Sequence, residues 1–210
     1  MKKLITLFFI SATFAAHAQE FNIGASVTPS VGWWDIEGDL YESSGTKFGV
    51  QIGFIADQTL GSSERFAITS GLAFNMNPGG FQTANANPGN TSFKAWNFKV
   101  MSIDLPITFR LRSDQLNKTV LFVQYGANFG FTLAKNISLD GGQNGGGSFD
   151  YESVNPSLAM GAGIEYALSD SKSLMLNAYF LNGLKNMVVD NANDDNMFPQ
   201  QLGLKAGILF

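Results

Sequence analysis

The chain has 210 residues, of which only 14% are charged, and it carries no cysteine. Soluble domains usually carry about 25% charged residues, so an ordinary water-facing surface is excluded, as are disulfides and a lipid-modified N-terminal cysteine. With 13 basic and 17 acidic groups, the net charge has the wrong sign for nucleic-acid binding.

The N-terminal stretch MKKLITLFFISATFAAHAQ reads as a secretory signal peptide over residues 1–18. Lys2 and Lys3 form its charged region, Leu4 to Ile10 its apolar core, and Ala16-His17-Ala18 its small-residue cleavage site. Cleavage leaves residues 19–210 as one domain with 13 − 2 = 11 basic groups against 17 acidic ones, a net charge of −6. It also removes His17, the only histidine. A mature chain without His or Cys excludes Ser–His and Cys–His catalysis and His-ligated metal sites. No cofactor is expected.

No apolar run of about 20 residues follows, so no membrane helix is predicted. The chain instead reads as eight segments of period two. The first, from Phe21 to Trp34, sets Phe21, Ile23, Val27, Val31 and Trp33 against Asn22, Gly24, Ser26, Thr28, Ser30 and Gly32. The second runs from Lys47 to Ala56 and the third from Arg65 to Met76. In the fourth, VMSIDLPITFRL, Met101, Ile103, Leu105, Ile107, Phe109 and Leu111 oppose Ser102, Asp104, Thr108 and Arg110. The fifth, Leu121 to Leu133, opposes Leu121, Val123, Tyr125 and Phe129 to Gln124, Gly126, Asn128 and Gly130. The sixth, SLAMGAGIEYAL, carries Glu165 on its small-residue side. The seventh presents Leu174, Leu176, Ala178 and Phe180 as its apolar face, and the eighth is LGLKAGILF, with Lys205 opposite the apolar set that ends in Phe210.

The connections alternate in length. Those around Asp35–Thr46, Pro78–Trp96, Ala134–Asn155 and Lys185–Gln200 are long and polar, while those around Asp57–Glu64, Ser113–Lys118 and Ser169–Lys172 are short. An up-and-down barrel collects such long loops at one end, as outer-membrane barrels do. The stretch GGQNGGGS at 141–148 reads as a surface loop rather than a phosphate cradle, since no strand-to-helix switch follows. The acidic loop runs DIEGDLYE and DNANDDN lack the spacing of a calcium loop and read as solvated loops, with contact to lipopolysaccharide through bridging cations as the alternative.

The side opposite the bulky apolar residues is mostly Gly, Ala, Ser, Thr and Asn. That side suits a narrow eight-stranded lumen, so the bulky face must look outward, which lipid alone makes tolerable. The fold class is therefore all-β: a closed, antiparallel, up-and-down transmembrane barrel of eight strands. Asp104, Arg110, Glu165 and Lys205 share the lumen parity and are expected to act as structural lumen charges. Arg110 should pair with Glu165, and Lys205 should pair with Asp104 or join that cluster. Trp33, Trp34, Phe48, Trp96 and Phe98 are expected to form an aromatic girdle near the long loops, and Phe21, Phe66, Tyr166 and Phe210 the opposite one.

The stretches SIDLPITFRL, GAGIEYAL, YFLNGLKN and LGLKAGILF together resemble the PorT-like outer-membrane β-barrel family. That resemblance spans residues 19–210 and implies insertion by the barrel-assembly machinery, with Phe210 as the C-terminal aromatic assembly signal. Some relatives in that family act in secretion, which the short motifs do not single out. The reading is thus a non-enzymatic outer-membrane protein with a structural or surface-interaction role through four long loops. Its termini would be periplasmic, and its partners outer-membrane lipid and lipopolysaccharide. A component or partner of a secretion apparatus is the alternative. An envelope enzyme is a third reading and would require paired carboxylates at Asp104 and Glu165.

Overall fold

The computed structural model describes residues 21–61, 64–84, 94–139, 149–190 and 195–210. The signal segment, the Gly-rich stretch 141–148 and most of DNANDDN lie outside the described residues. The strands are β1 (Phe21–Glu37), β2 (Tyr41–Ser43), β3 (Lys47–Leu60), β4 (Phe66–Thr83), β5 (Ala95–Arg112), β6 (Thr119–Leu139), β7 (Phe149–Tyr151), β8 (Val154–Ser169), β9 (Lys172–Gly183), β10 (Val188–Asp190) and β11 (Asn196–Leu209). The eight long ones pair antiparallel in the order β1-β3-β4-β5-β6-β8-β9-β11. β11 then returns to β1, with Gly24 opposite Leu209 and Glu37 opposite Asn196. Phe210 completes the seam by exchanging two backbone hydrogen bonds with Ile23, at 3.2 and 2.7 Å. Closure pairs each long strand on both sides, which removes the sheet edges that lipid would leave unsatisfied.

Period two decides the faces. On β1, Phe21, Ile23, Val27 and Val31 are exposed while Gly24, Thr28, Ser30 and Gly32 are buried inside. On β9, Leu174 and Leu176 point outward and Met175, Asn177 and Tyr179 inward. Phe48 and Phe54 are 73% and 75% exposed. Rings bared to that extent, on every side of the wall, fit a face bathed in hydrocarbon and not one in water. Glycine on the inner face makes room for larger neighbours: a Cβ on Gly163 would lie 2.8 Å from the Phe122 ring.

The long connections are only partly loops. β4 and β5 have 18 residues each and β6 has 21, whereas crossing a bilayer takes about 9–11. The outward-facing Asp35 and Lys99 are exposed and mark where the apolar band stops. Above it, β2 pairs with the end of β4, Tyr41 opposite Thr83, and β7 pairs with β10, Tyr151 opposite Val188. The ladder between β5 and β6 shifts register here: Ser102 faces Thr132 but Met101 faces Ala134, so Leu133 is an extra residue. Such a bulge bends the strand and increases its twist.

The same region corrects one expectation. Trp34, Trp96 and Phe98 do not face lipid; with Phe81, Met187, Val188 and Met197 they form a buried cluster inside the long-loop end. Only Trp33 and Phe48 of that expected girdle point outward, Trp33 stacking on Phe180 with ring centroids 6.2 Å apart. The reason is parity. Trp34 follows Gly32 on the inner side, and Trp96 and Phe98 lead into Ser102 and Asp104. At the other rim Phe21, Phe66, Tyr166 and Phe210 are all exposed.

Candidate functional site in the barrel lumen

The lumen is built in layers. Nearest the short turns, β5 carries Arg110 and Arg112 on successive inward positions, where Arg110 lies beside Ala67 of β4 and Gln124 of β6. Arg110 places Nη1 2.9 Å from the Asp57 carboxylate and 2.5 Å from that of Glu165. Its Nη2 donates to Gln124 Oε1 at 3.0 Å, and the guanidinium lies 4.4 Å from the centroid of the Phe122 ring. Arg112 sits 2.7 Å from Asp57 and 3.1 Å from Glu165. The Thr69 hydroxyl also donates to Asp57, at 2.7 Å. Each carboxylate therefore bridges two guanidiniums, and two positive charges balance two negative ones. Isolated buried ions cost several kcal/mol each, and such a neutral, hydrogen-bonded set is how a lumen can hold them.

Against this network packs a buried apolar cluster of Ile55, Phe122, Met175 and Leu209, with Phe122 opposite Arg112 and Met175 opposite Glu165 in the wall. Lys205 lies next. Its Nζ stands 3.9 Å from the centroid of the Tyr179 ring, a cation–π contact. Among the described residues it makes no ion pair with Asp104 or with the arginine cluster, contrary to the expected pairing. Asp104 is held instead by neutral donors: Ser102 Oγ at 2.6 Å, Asn75 Nδ2 at 2.9 Å, and Gln51 Nε2 and Asn128 Nδ2 at 3.3 Å each. The network continues through Asn75 to Gln201 and from Gln201 to Ser30. Asp104 and Glu165 are thus engaged by separate partner sets among the described residues.

The cap closes the far end. The Trp34 ring packs 5.7 Å from Phe98 and edge-on to Tyr151 at 6.1 Å, and Phe81 lies 5.2 Å from Trp96. Burial raises the Tyr151 phenol above its ordinary range, with the charge of Asp104 adding to the shift. Polar clamps hold the surrounding chain: the Asp195 carboxylate accepts from the backbone N–H groups of Leu40 and Tyr41 at 3.2 and 3.0 Å. Asn186 Oδ1 accepts from Met197 N at 3.0 Å. Beneath the cap, the interior gaps around Asp104 and around Lys205 measure about 20 Å³ each, room for little more than a water molecule. A wider vestibule of about 270 Å³ opens at the short-turn mouth, lined by Arg112, Glu165, Arg65 and Asp114.

All four sequence-predicted charges are buried in the lumen, but Arg110 and Glu165 are the two that the fold brings into direct contact. Two partners were missed, Asp57 and Arg112. Each lies one residue beyond a predicted strand end and continues its inward parity.

Residues 17–189 match the family described as Outer membrane protein beta-barrel domain. The chain belongs to that family. Among solved structures this outer-membrane barrel is similar to Neisserial surface protein A, at 14% identity and a TM-score of 0.51 over 90% of this chain and 97% of that one. It is also similar to the outer membrane protein OprG from Pseudomonas aeruginosa, at 11% identity and a TM-score of 0.49 over 92% and 97% of the two chains. The first likeness agrees with the closed barrel described above. Among curated proteins, none is similar to this chain in sequence.

Proposed function

We propose that this outer-membrane barrel is a closed, non-enzymatic wall protein that presents its long-loop end to the exterior as a rigid surface for interaction. The observation that carries the reading is the aromatic cap: Trp34, Phe81, Trp96 and Phe98 seal one end of a lumen already filled by ion pairs and amides. A sealed lumen gives no route for solutes, and strands that run past the bilayer give the cap a rigid support. In this reading residues 1–18 direct export, the short turns and the C-terminal strand face the periplasm, and Phe210 serves as the assembly signal.

Orientation and closure are testable together. The chain has no cysteine, so Glu42→Cys and Asp114→Cys each introduce a unique thiol, at the long-loop and short-turn ends. In intact cells an impermeant maleimide should label the first and spare the second. Vesicles containing the purified protein should swell in small sugars no faster than empty ones. Labelling at position 114, or rapid swelling, overturns the proposal.

A second reading, a partner of a secretion apparatus, is the alternative raised by the resemblance of SIDLPITFRL and LGLKAGILF to PorT-like barrels, although those motifs do not single it out. A deletion strain whose secreted proteins accumulate in the periplasm would support it. Normal secretion would remove it.

A further inference from the structure

On the outer wall the bulky apolar surface is interrupted by a hollow of about 590 Å³. Its floor is a patch of small residues spread over three strands. Ala56 of β3 pairs with Ile23 of β1 on one side and with Ser70 of β4 on the other, while Ala25 of β1 pairs with Phe54. Ile23, Phe54, Leu72 and Phe210 wall it. The one side-chain polar group in this lining, the Ser70 hydroxyl, already donates to the Pro106 carbonyl at 2.9 Å. The hollow therefore offers an apolar guest nothing to desolvate. It reaches the short-turn rim at Phe210, and there Lys172 Nζ stands 5.7 Å from the Phe210 ring centroid on an exposed side chain.

We propose that this hollow is a binding site for one phospholipid, its acyl chain lying over Ala25, Ala56 and Ser70 and its phosphate beside Lys172. The occupant follows from position. The hollow opens on the face that the barrel turns to hydrocarbon, where an acyl chain is the flexible apolar group at hand. It also ends at the depth where headgroups begin, beside a cation. Small residues elsewhere on the outer wall, such as Ala178 of β9, do not line this hollow. The inference rests on the lipid-facing side of the barrel and is independent of any surface role.

The test is native mass spectrometry of the full-length barrel folded in detergent with phosphatidylglycerol and phosphatidylethanolamine. The unaltered protein should retain one phospholipid after detergent removal. Ala56→Trp, which fills the hollow with a side chain that membrane interfaces accept, should lower the retained fraction about tenfold, the effect of some 1.4 kcal/mol. Ala25→Phe serves the same purpose should the first variant lack the mobility shift of a folded barrel. Lys172→Gln should also reduce retention, and Ala178→Trp should leave it unchanged. Retention of no lipid, equal retention in the filled variants, equal retention without Lys172, or a dimer that depends on the hollow would each overturn the proposal.

Discussion

Arg110 and Glu165 meet across the lumen with 2.5 Å between Nη1 and Oε1, although they stand on β5 and β8, which have β6 between them in the wall. Their contact is therefore tertiary and cannot arise from strand pairing. Removing one member of a buried pair leaves an uncompensated charge and costs about 3–5 kcal/mol. Arg110→Met should destabilise the barrel by about that amount in urea titrations in lipid vesicles, and adding Glu165→Gln should recover most of the loss, since the double variant leaves Arg112 and Asp57 as a neutral pair. Additive losses would contradict the coupling.

Asp57 deserves the same treatment because it touches both guanidiniums, at 2.9 and 2.7 Å. Asp57→Asn should cost about 3 kcal/mol or more, measured in the same titration. Arg112→Met added to it should restore charge balance and part of the stability. A neutral Asp57→Asn variant would show that Glu165 alone satisfies both arginines.

Phe98 lies in the cap, 5.0 Å from Phe81. Truncating a buried Phe to Ala usually costs about 3–5 kcal/mol. Because the cap stands above the apolar band, the damage in Phe98→Ala should stay local: faster proteolysis at the long-loop end, with the membrane-embedded strands still protected. Trp33→Ala, on the lipid side, should leave the proteolysis rate near that of the unaltered protein. Equal rates for the two variants would place both rings outside the cap.

Leu204 and Lys205 are neighbours on opposite faces of β11, the first exposed and the second buried. A lysine facing lipid at mid-depth costs roughly 2–4 kcal/mol. Leu204→Lys should therefore lower stability by about that much, although the next residue is already a lysine. If Leu204→Lys proves neutral in vesicle unfolding, the assignment of faces is wrong.

Much of this was legible because period two is a local signal: each strand states its own inner and outer sets. The two faces of β9, the burial of Asp104 and Lys205, and the closure at LGLKAGILF follow from it. Errors arose where residue type was weighed above parity. Trp34 and Phe98 look like girdle residues by type, yet alternation from Gly32 and Ser102 already points them inward. Asp57 and Arg112 were missed because hydropathy fades at strand ends before the strands do. Partner choice within the lumen was legible for Arg110 and Glu165 but not for Lys205. Lys205 meets the Tyr179 ring rather than Asp104 because strand stagger sets which inward positions share a level, and stagger is a property of the closed barrel.

The central claim is that bulky apolar side chains face hydrocarbon while charge and amide groups fill the centre. Refolding the chain from urea, with and without lipid vesicles, tests it most directly. The account predicts aggregation in plain buffer and, with vesicles, a protease-protected β-structured form whose gel mobility changes on boiling. A compact monomer that stays dissolved and folded in buffer alone would contradict it.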